Sequence, residues 1–548
     1  MATNSTRSSS KKKARANERA APVQQTPVND GIPENVWRIG IIVIFVIAAV
    51  LRLYDLNLVP LHHDEGVNGN FLVRLVREGA YQYDPQNYHG PTLYYFSALI
   101  PWTVKLLFGS SARDNYGLTT FNIRLVTVIF GLATIWLVLM LRRRLGTVAT
   151  LAAALMLAVS PGAVYLSRYF IHESLFVFFT LGIVVASVKL YDEQNPSYLI
   201  PLAASAALLF ATKETAMISV AVLIIALGLT LLYLRFIDKP SRRRVNETSI
   251  VEEFGGTTTV GYYLGVAVIV FLALYLLFYS SFLTNNKGIT DSLQTFAIWT
   301  KTGQQAHVHS AETYLTWLFA IESPLLFLGA IGAAIVVLKP KNSFALFSAL
   351  WAFGLIAAYS LIPYKTPWLM LNFIVPLALI AGHAIQEIYE WDHRQLRLAS
   401  VILLAAIGLA TYQSIDLNFI NYDNDNEKYV YVYAHSTREL LDLVKQVEQI
   451  AKENTGNTTG ISIVSPDYWP LPWYFRNFSH VGYFGRMAPT SEPIIIANEN
   501  QKEEVDRNFG EVYRQVMSKS EGGSFELRPG VKLLLYVKRT GFLPQQNP

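Results

Sequence analysis

The chain has 548 residues, 52% of them apolar and only 16% charged, with a mean hydropathy of +0.29. Soluble domains carry about 25% charged residues, so a soluble globule is excluded and a mostly α, polytopic membrane protein is expected. The absence of cysteine excludes disulfides, thiolate nucleophiles and cysteine-based metal sites. The net charge of +5 gathers in basic clusters between apolar segments, a positive-inside pattern rather than a footprint for nucleic acid.

Residues 1–36 are polar, with Lys11–Lys13, Arg15 and Arg19, and read as a disordered cytoplasmic tail. The tail lacks the small-residue cleavage pattern of a simple signal peptide, so the apolar helix that follows at 37–54 is expected to be retained. Further spans are expected at 119–141, 147–165, 170–190, 197–212, 215–235, 259–282, 314–338, 343–362, 367–390 and 396–415, each near the ~20 residues a bilayer core requires except the short 197–212. The apolar stretch 91–108 contains Pro101, Trp102 and Lys105, which suit an interfacial helix. If it lies on the surface, four basic loops fall on the side of the basic tail. These hold Arg142–Arg144, Lys239 with Arg242–Arg244, Lys339 with Lys341, and His393, Arg394 and Arg397. If it spans, all four move to the other side. The positive-inside rule selects the first arrangement, giving eleven spans over residues 37–415, with the N-terminus inside and the first outer loop at 55–118. Residues 416–548 are expected to form a small outer α/β domain, with strands at 461–464, 494–496 and 533–537 and helices at 438–452 and 501–508.

The candidate functional residues all fall on the outer face. Leu61-His62-His63-Asp64-Glu65-Gly66 follows the first span within ten residues, and ionisable groups so close to a membrane are costly unless they have a task. Asp64 and Glu65 are candidates to take a proton from an acceptor hydroxyl or to position a metal; equally, both residue types favour a helix start. His62 and His63, with either acid, could ligate a divalent cation, although adjacent residues on a regular strand point apart. His89-Gly90-Pro91 opens the surface helix, with Gly90 allowing close approach of a headgroup and His89 a candidate substrate contact. Arg124, Arg168, Lys213 and Lys365 stand at outer span ends, where cations can neutralise a lipid phosphate or simply snorkel. Lys213 and Glu214 could pair with each other. Tyr169, His172, Glu173 and Tyr364 accompany these cations as candidate substrate-binding residues. Asp423–Glu427 reads as a solvated turn rather than a calcium loop. The run Tyr468-Trp469-Pro470-Leu471-Pro472-Trp473-Tyr474 fits packing on the membrane domain, dipping into the interface or stacking on sugar.

These motifs together resemble the GT-C membrane glycosyltransferases of the protein O-mannosyltransferase and aminoarabinose-transferase superfamily. The likeness rests on Asp64-Glu65 in the first outer loop, His89-Gly90-Pro91, Arg124-Leu125, and Ser167-Arg168-Tyr169 with a downstream acid. More narrowly, H-H-D-E-G, S-R-Y-F-I-H-E, A-T-K-E-T, Y-K-T-P-W and the aromatic run resemble prokaryotic flippase-activity-associated proteins of archaeal-type N-glycosylation. The resemblance implies a polyprenyl-phosphate-linked sugar as donor, inverting transfer outside the membrane, Asp64 as base and an outer cavity with basic residues on the phosphate. A second reading is a non-catalytic protein that assists flipping of lipid-linked glycans. The chain departs from the pattern in lacking a second proline after Pro91 and in carrying His172-Glu173 where relatives usually have Asp.

Overall fold

The structure is a computed structural model describing residues 32–87, 89–237, 251–302, 307–391, 396–426, 428–518 and 521–539. The basic tail residues Lys11–Lys13, Arg15 and Arg19, together with Lys239, Arg242–Arg244, His393, Arg394 and Glu427, lie outside the described residues. The helical part comprises α1 (Glu34–Leu53), α2 (His63–Glu78), α3 (Thr92–Phe108), α4 (Thr120–Leu139), α5 (Thr147–Val159), α6 (Pro161–Ser167), α7 (Glu173–Glu193), α8 (Leu199–Phe210), α9 (Ala216–Ile237), α10 (Thr257–Tyr279), α11 (Lys287–Thr302), α12 (Thr313–Ile321), α13 (Ser323–Leu338), α14 (Ser343–Leu361), α15 (Leu371–Trp391) and α16 (Leu396–Ile415). All eleven expected segments are helical. Among the described residues, eight helices are long and apolar enough to cross a membrane, or up to ten if the bent pairs α5–α6 and α12–α13 each count as one span. The count of eleven is therefore not reached on length and composition. The segment at 197–212 falls short because its apolar helix is only Pro196–Phe210.

Helix α15 is the centre of the bundle: 94% of the apolar window in Pro367–Trp391 is buried. It packs against α5, α13 and α14. Small residues permit the close backbone approach that drives helix association in lipid. A Cβ at Gly332 would stand 2.2 Å from the Ile380 carbonyl, and one at Gly382 would stand 2.2 Å from that of Ala149.

The two bends serve one another. Pro161 lacks an N–H for the Leu157 carbonyl, and Arg52 Nη2 donates to that carbonyl instead, at 3.1 Å. Arg52 Nη1 donates to the Ala158 carbonyl at 2.8 Å. Glu322, at the second bend, accepts from the Gly162 N–H at 2.7 Å and from the Ser160 hydroxyl at 2.8 Å. Backbone groups freed inside a bilayer require such substitutes.

Side-chain bonds define two ends of the bundle. At one end Arg142 pairs with Glu34 at the start of α1, and Asn342 donates to the Arg144 carbonyl. At the other, Arg168 donates to the carbonyls of Leu51, Arg52, Tyr54 and Asp55 at the close of α1, and Arg124 to those of Leu56, Val59 and Pro60. The start of α4 thus lies beside the end of α1, and the intervening 55–118 segment with α3 begins and ends on one face. Helix α3 is not among the described helices that are long and apolar enough to cross.

After the last span the chain forms α17 (Glu439–Lys452), β1 (Ile461–Ile463), β2 (Val481–Tyr483), β3 (Ile494–Asn498), α18 (Lys502–Phe509), β4 (Tyr513–Val516), β5 (Phe525–Arg528) and β6 (Val531–Lys538). The sheet runs β2-β1-β3-β6, with β4 and β5 sharing the far edge of β6. Strands β1, β2 and β3 are parallel, and β6 is antiparallel to its neighbours. The period of two sorts the apolar residues: Ile494, Ile496, Leu533 and Leu535 face α17, whereas Ile495, Leu534 and Tyr536 pack with Val505 of α18. The expected strands and helices are present; β2, β4 and β5 are additional, each four residues or fewer.

The aromatic run anchors this domain to the bundle. Trp473 is buried and its indole donates to Thr120 Oγ1 at 3.3 Å, while Tyr474 Oη accepts from the Leu61 N–H at 2.9 Å. Arg476 Nη2 donates to the Leu118 carbonyl at 2.7 Å. Packing on the membrane domain is therefore what Trp473 and Tyr474 do.

Candidate active site

The cavity lies where the 55–118 loop, the ends of the helices and the C-terminal domain meet, with a volume of about 590 Å³. Helix α2 delivers the central residues. His62 precedes its first turn; its Nδ1 accepts from the Asp64 N–H at 3.0 Å, and Glu65 Oε2 accepts from the His62 N–H at 3.0 Å. This reciprocal cap satisfies N–H groups that a helix start leaves without intrahelical partners.

The two acids then part. Asp64 lines the cavity, its side chain 43% exposed, with Oδ2 3.8 Å from His62 Nδ1. That nitrogen is accepting a hydrogen bond, so it carries no proton for the carboxylate. Among the described residues Asp64 has no Lys or Arg within ion-pair distance. Glu65 is fully buried and does not line the cavity. It takes Arg124 Nε at 2.8 Å and Nη2 at 2.6 Å, together with the Phe170 N–H at 2.8 Å. Placing Glu65 among the reacting groups is thus corrected: its lone pairs are spent on holding α2, α4 and the 168–172 turn together.

The expected convergence of outer cations on the cavity is also corrected. The Arg124 and Arg168 guanidinium groups are turned onto backbone carbonyls and, for Arg124, onto Glu65; neither residue lines the cavity. Lys365 is buried with its ammonium on the carbonyls of Ile362, at 2.6 Å, and His309, at 3.4 Å. In low dielectric these cations need local acceptors at once, and carbonyls at helix ends and in the adjoining loops supply them. Tyr169 likewise stands behind the wall, its ring 5.4 Å from those of His62 and His435.

His62, His63, His89, His172, Glu173, Lys213 and Tyr364 do line the cavity. Lys213 pairs with Glu173 rather than with its neighbour Glu214. Glu214 Oε2 instead meets His89 Nδ1 at 3.1 Å. Burial alone would raise the Glu214 pKa, but His89, through charge and hydrogen bond, and Lys213 bring it below the ordinary carboxylate value. The His63 imidazole is pushed below its usual range by burial, with Asp64 opposing. Gly90 does serve a close approach, to protein backbone rather than a headgroup: its Cβ would stand 2.0 Å from the Ala211 carbonyl oxygen.

As for a metal, among the described residues no group of three His, Asp or Glu side chains stands close enough to hold an ion. His62 and Asp64 offer two donors, while the His63 ring lies 6.0 Å from that of Trp469.

Sequence reasoning missed several lining residues: Thr215, His307, Tyr359, Tyr433 and Arg528. Arg528, on β5, is the guanidinium that reaches the cavity, beside Asp467 at 2.5 Å. No local motif marks it; its position depends on the docking of the whole C-terminal domain.

Residues 100–241 match the family model described as dolichyl-phosphate-mannose-protein mannosyltransferase. No curated protein matches the sequence. Among solved structures, ArnT from Cupriavidus metallidurans in the apo state aligns at TM-score 0.59 and 13% identity, over 92% of this chain and 97% of that one. The same protein bound to undecaprenyl phosphate aligns at TM-score 0.53 and 13% identity, over 90% and 98%. The oligosaccharyltransferase AglB from Archaeoglobus fulgidus, in complex with an inhibitory peptide and a dolichol-phosphate, aligns at TM-score 0.50 and 12% identity, over 94% and 75%. Multi-pass, with a cavity at one end of the bundle beneath a small α/β domain, the chain has the GT-C membrane glycosyltransferase fold.

Proposed function

We propose that the protein is a membrane glycosyltransferase that moves a sugar from a polyprenyl-phosphate carrier to an acceptor hydroxyl on the outer face. In this reading the N-terminus is cytoplasmic and the C-terminal domain outside. The observation that carries the proposal is Asp64: an accessible carboxylate that, among the described residues, has no Lys or Arg partner, in a cavity whose other lining acids, Glu173 and Glu214, are each paired with a basic neighbour. ArnT with undecaprenyl phosphate and AglB with a dolichol-phosphate support a polyprenyl phosphate as the carrier.

The chemistry is an inverting displacement. Asp64 accepts the proton of the acceptor hydroxyl, the acceptor oxygen bonds to the anomeric carbon, and the bond from that carbon to the phosphate oxygen breaks, releasing polyprenyl phosphate. The lipid phosphate meets Lys213 or Arg528, the Lys and Arg that line the cavity among the described residues.

The test is Asp64→Asn in protein reconstituted with a polyprenyl-phosphate hexose. Asn keeps the size and one acceptor oxygen but loses the basic carboxylate. Transfer should fall by about 10²–10⁴-fold with donor binding retained. Near-normal transfer would discard the catalytic role and leave assistance in glycan flipping as the reading.

A further inference from the structure

The deep wall of the cavity begins at the N-terminal end of α7. His172 Nε2 donates to the Gly90 carbonyl at 3.0 Å, and since a carbonyl only accepts, the ring proton is on Nε2. Burial, and then His89 and Lys213, hold this imidazole well below its ordinary pKa, so it is neutral and Nδ1 presents a lone pair. Among the described residues that Nδ1 is buried without a hydrogen-bond partner. At the next residue, Glu173 Oε1 takes Lys213 Nζ, while Oε2 is buried and, among the described residues, without a partner. The residues are 1% and 2% exposed, and both line the cavity.

Two buried atoms on adjacent residues, both of which can only accept, are thus left unsatisfied among the described residues in low dielectric, which is costly unless a ligand completes them. The ligand group has to bring O–H or N–H donors. A phosphate or carboxylate brings lone pairs and negative charge, and is repelled by Glu173. An ammonium is opposed by Lys213, which already occupies the other oxygen of the same carboxylate. A neutral group rich in hydroxyls satisfies both acceptors without either conflict.

We infer that His172 and Glu173 form the wall that recognises the hydroxyl groups of the transferred sugar, and that this sugar is neutral rather than a free amino sugar. The inference rests on the transferase reading and adds the class of sugar and the residues that select it. In this arrangement the sugar hydroxyls complete Nδ1 and Oε2, Lys213 sits at the phosphate side of the same carboxylate, and Asp64 faces the anomeric carbon.

The experiment titrates the purified full-length protein with three probes: a bare polyprenyl phosphate, the same lipid carrying a hexose, and the same lipid carrying a hexosamine with a free amine. The wild type should bind the hexose lipid at least about tenfold tighter than the bare lipid and tighter than the hexosamine lipid. Glu173→Gln replaces an acceptor by an N–H donor. His172→Gln keeps a donor for the Gly90 carbonyl but replaces the fixed imidazole lone pair by an amide oxygen at a different position. Each should shrink the hexose margin below about threefold. The readout is a ratio of affinities, so a change common to all three lipids, such as release of Lys213, cancels. Should Glu173→Gln fail to fold, His172→Gln carries the test. An undiminished margin in a folded variant, equal wild-type affinity for the bare and hexose lipids, or preference for the hexosamine lipid would overturn the wall while leaving the transferase reading intact. Failure of the wild type to bind any of the three would overturn the transferase reading itself.

Discussion

Glu65→Gln separates the scaffold of the site from its chemistry. The carboxylate divides four N–H groups between its oxygens: Arg124 Nε and the Phe170 N–H on Oε1, Arg124 Nη2 and the His62 N–H on Oε2. An amide has one oxygen and one NH₂. Whichever way Gln is turned, its NH₂ faces two donors, one of them on a guanidinium that is only 2% exposed. Removing one partner of a buried ion pair costs about 3–5 kcal/mol, because the remaining charge stays uncompensated. We expect a melting temperature several degrees lower, read by heating detergent-solubilised protein and measuring the monodisperse fraction by size exclusion. Residual transfer should track the fraction folded. A Glu65→Gln protein that melts like the wild type yet has lost transfer would refute the scaffold role and return Glu65 to the reacting groups.

Two further outcomes follow from topology and titration. In the Cys-free chain, Lys502→Cys on α18 should react with an impermeant maleimide in intact cells and Lys341→Cys should not; both positions are exposed, and the reverse pattern would invert the proposed orientation. His435, whose ring lies 4.8 Å from that of His62, is held well below its ordinary pKa by burial, then by His62 and Arg124. The unfolded chain binds that proton near pH ~6.5 and the folded one only at lower pH. Stability is therefore full above ~6.5 and is lost as pH falls below it. His435→Gln should flatten this loss in a melting series between about pH 7 and 5, and an unchanged slope would refute it.

The sequence makes the spans legible because apolar length is a one-dimensional property. It also makes legible which face carries the chemistry, because basic loops mark the opposite one. His172 and Lys213 reach the cavity as their positions at span ends suggest, and Asp64 and His89 reach it from the 55–118 loop. Pairing is what a linear reading cannot resolve. Asp64 and Glu65 are adjacent and equally acidic, yet a turn of about 100° per residue along α2 sends one into the cavity and the other onto Arg124, 59 residues away in sequence. The same holds for the cations. Arg124, Arg168 and Lys365 carry the right charge near the right helix ends, but carbonyls of the helix ends and adjoining loops take them first. Arg528 comes from a strand whose register says nothing of the membrane domain.

The glycine that closes H-H-D-E-G gives a last test, because it links the C-terminal domain to the position of Asp64. Gly66 and Gly69 are three apart on one face of α2, against the turn Leu471–Tyr474 and the residue before it. A Cβ at Gly66 would stand 2.4 Å from Pro470 Cβ and 2.7 Å from its Cα; one at Gly69 would stand 2.6 Å from Trp473 Cε3. Pro470 cannot yield by a side-chain rotation, so Gly66→Ala has to push α2 and the C-terminal domain apart. Ala gains up to about 1 kcal/mol in helix propensity, whereas overpacking costs about 1–3 kcal/mol, so the net loss of stability is small. The effect on transfer is larger, since Asp64 lies two residues away and a misplacement of about 1 Å can cost 10²-fold. Gly228→Ala on α9, an exposed position with nothing within 4 Å of the added Cβ, is the control and should be fully active. Gly66→Ala with wild-type transfer would show that the contact with Pro470 does not position the carboxylate, and that α2 holds Asp64 through Glu65 and its cap alone.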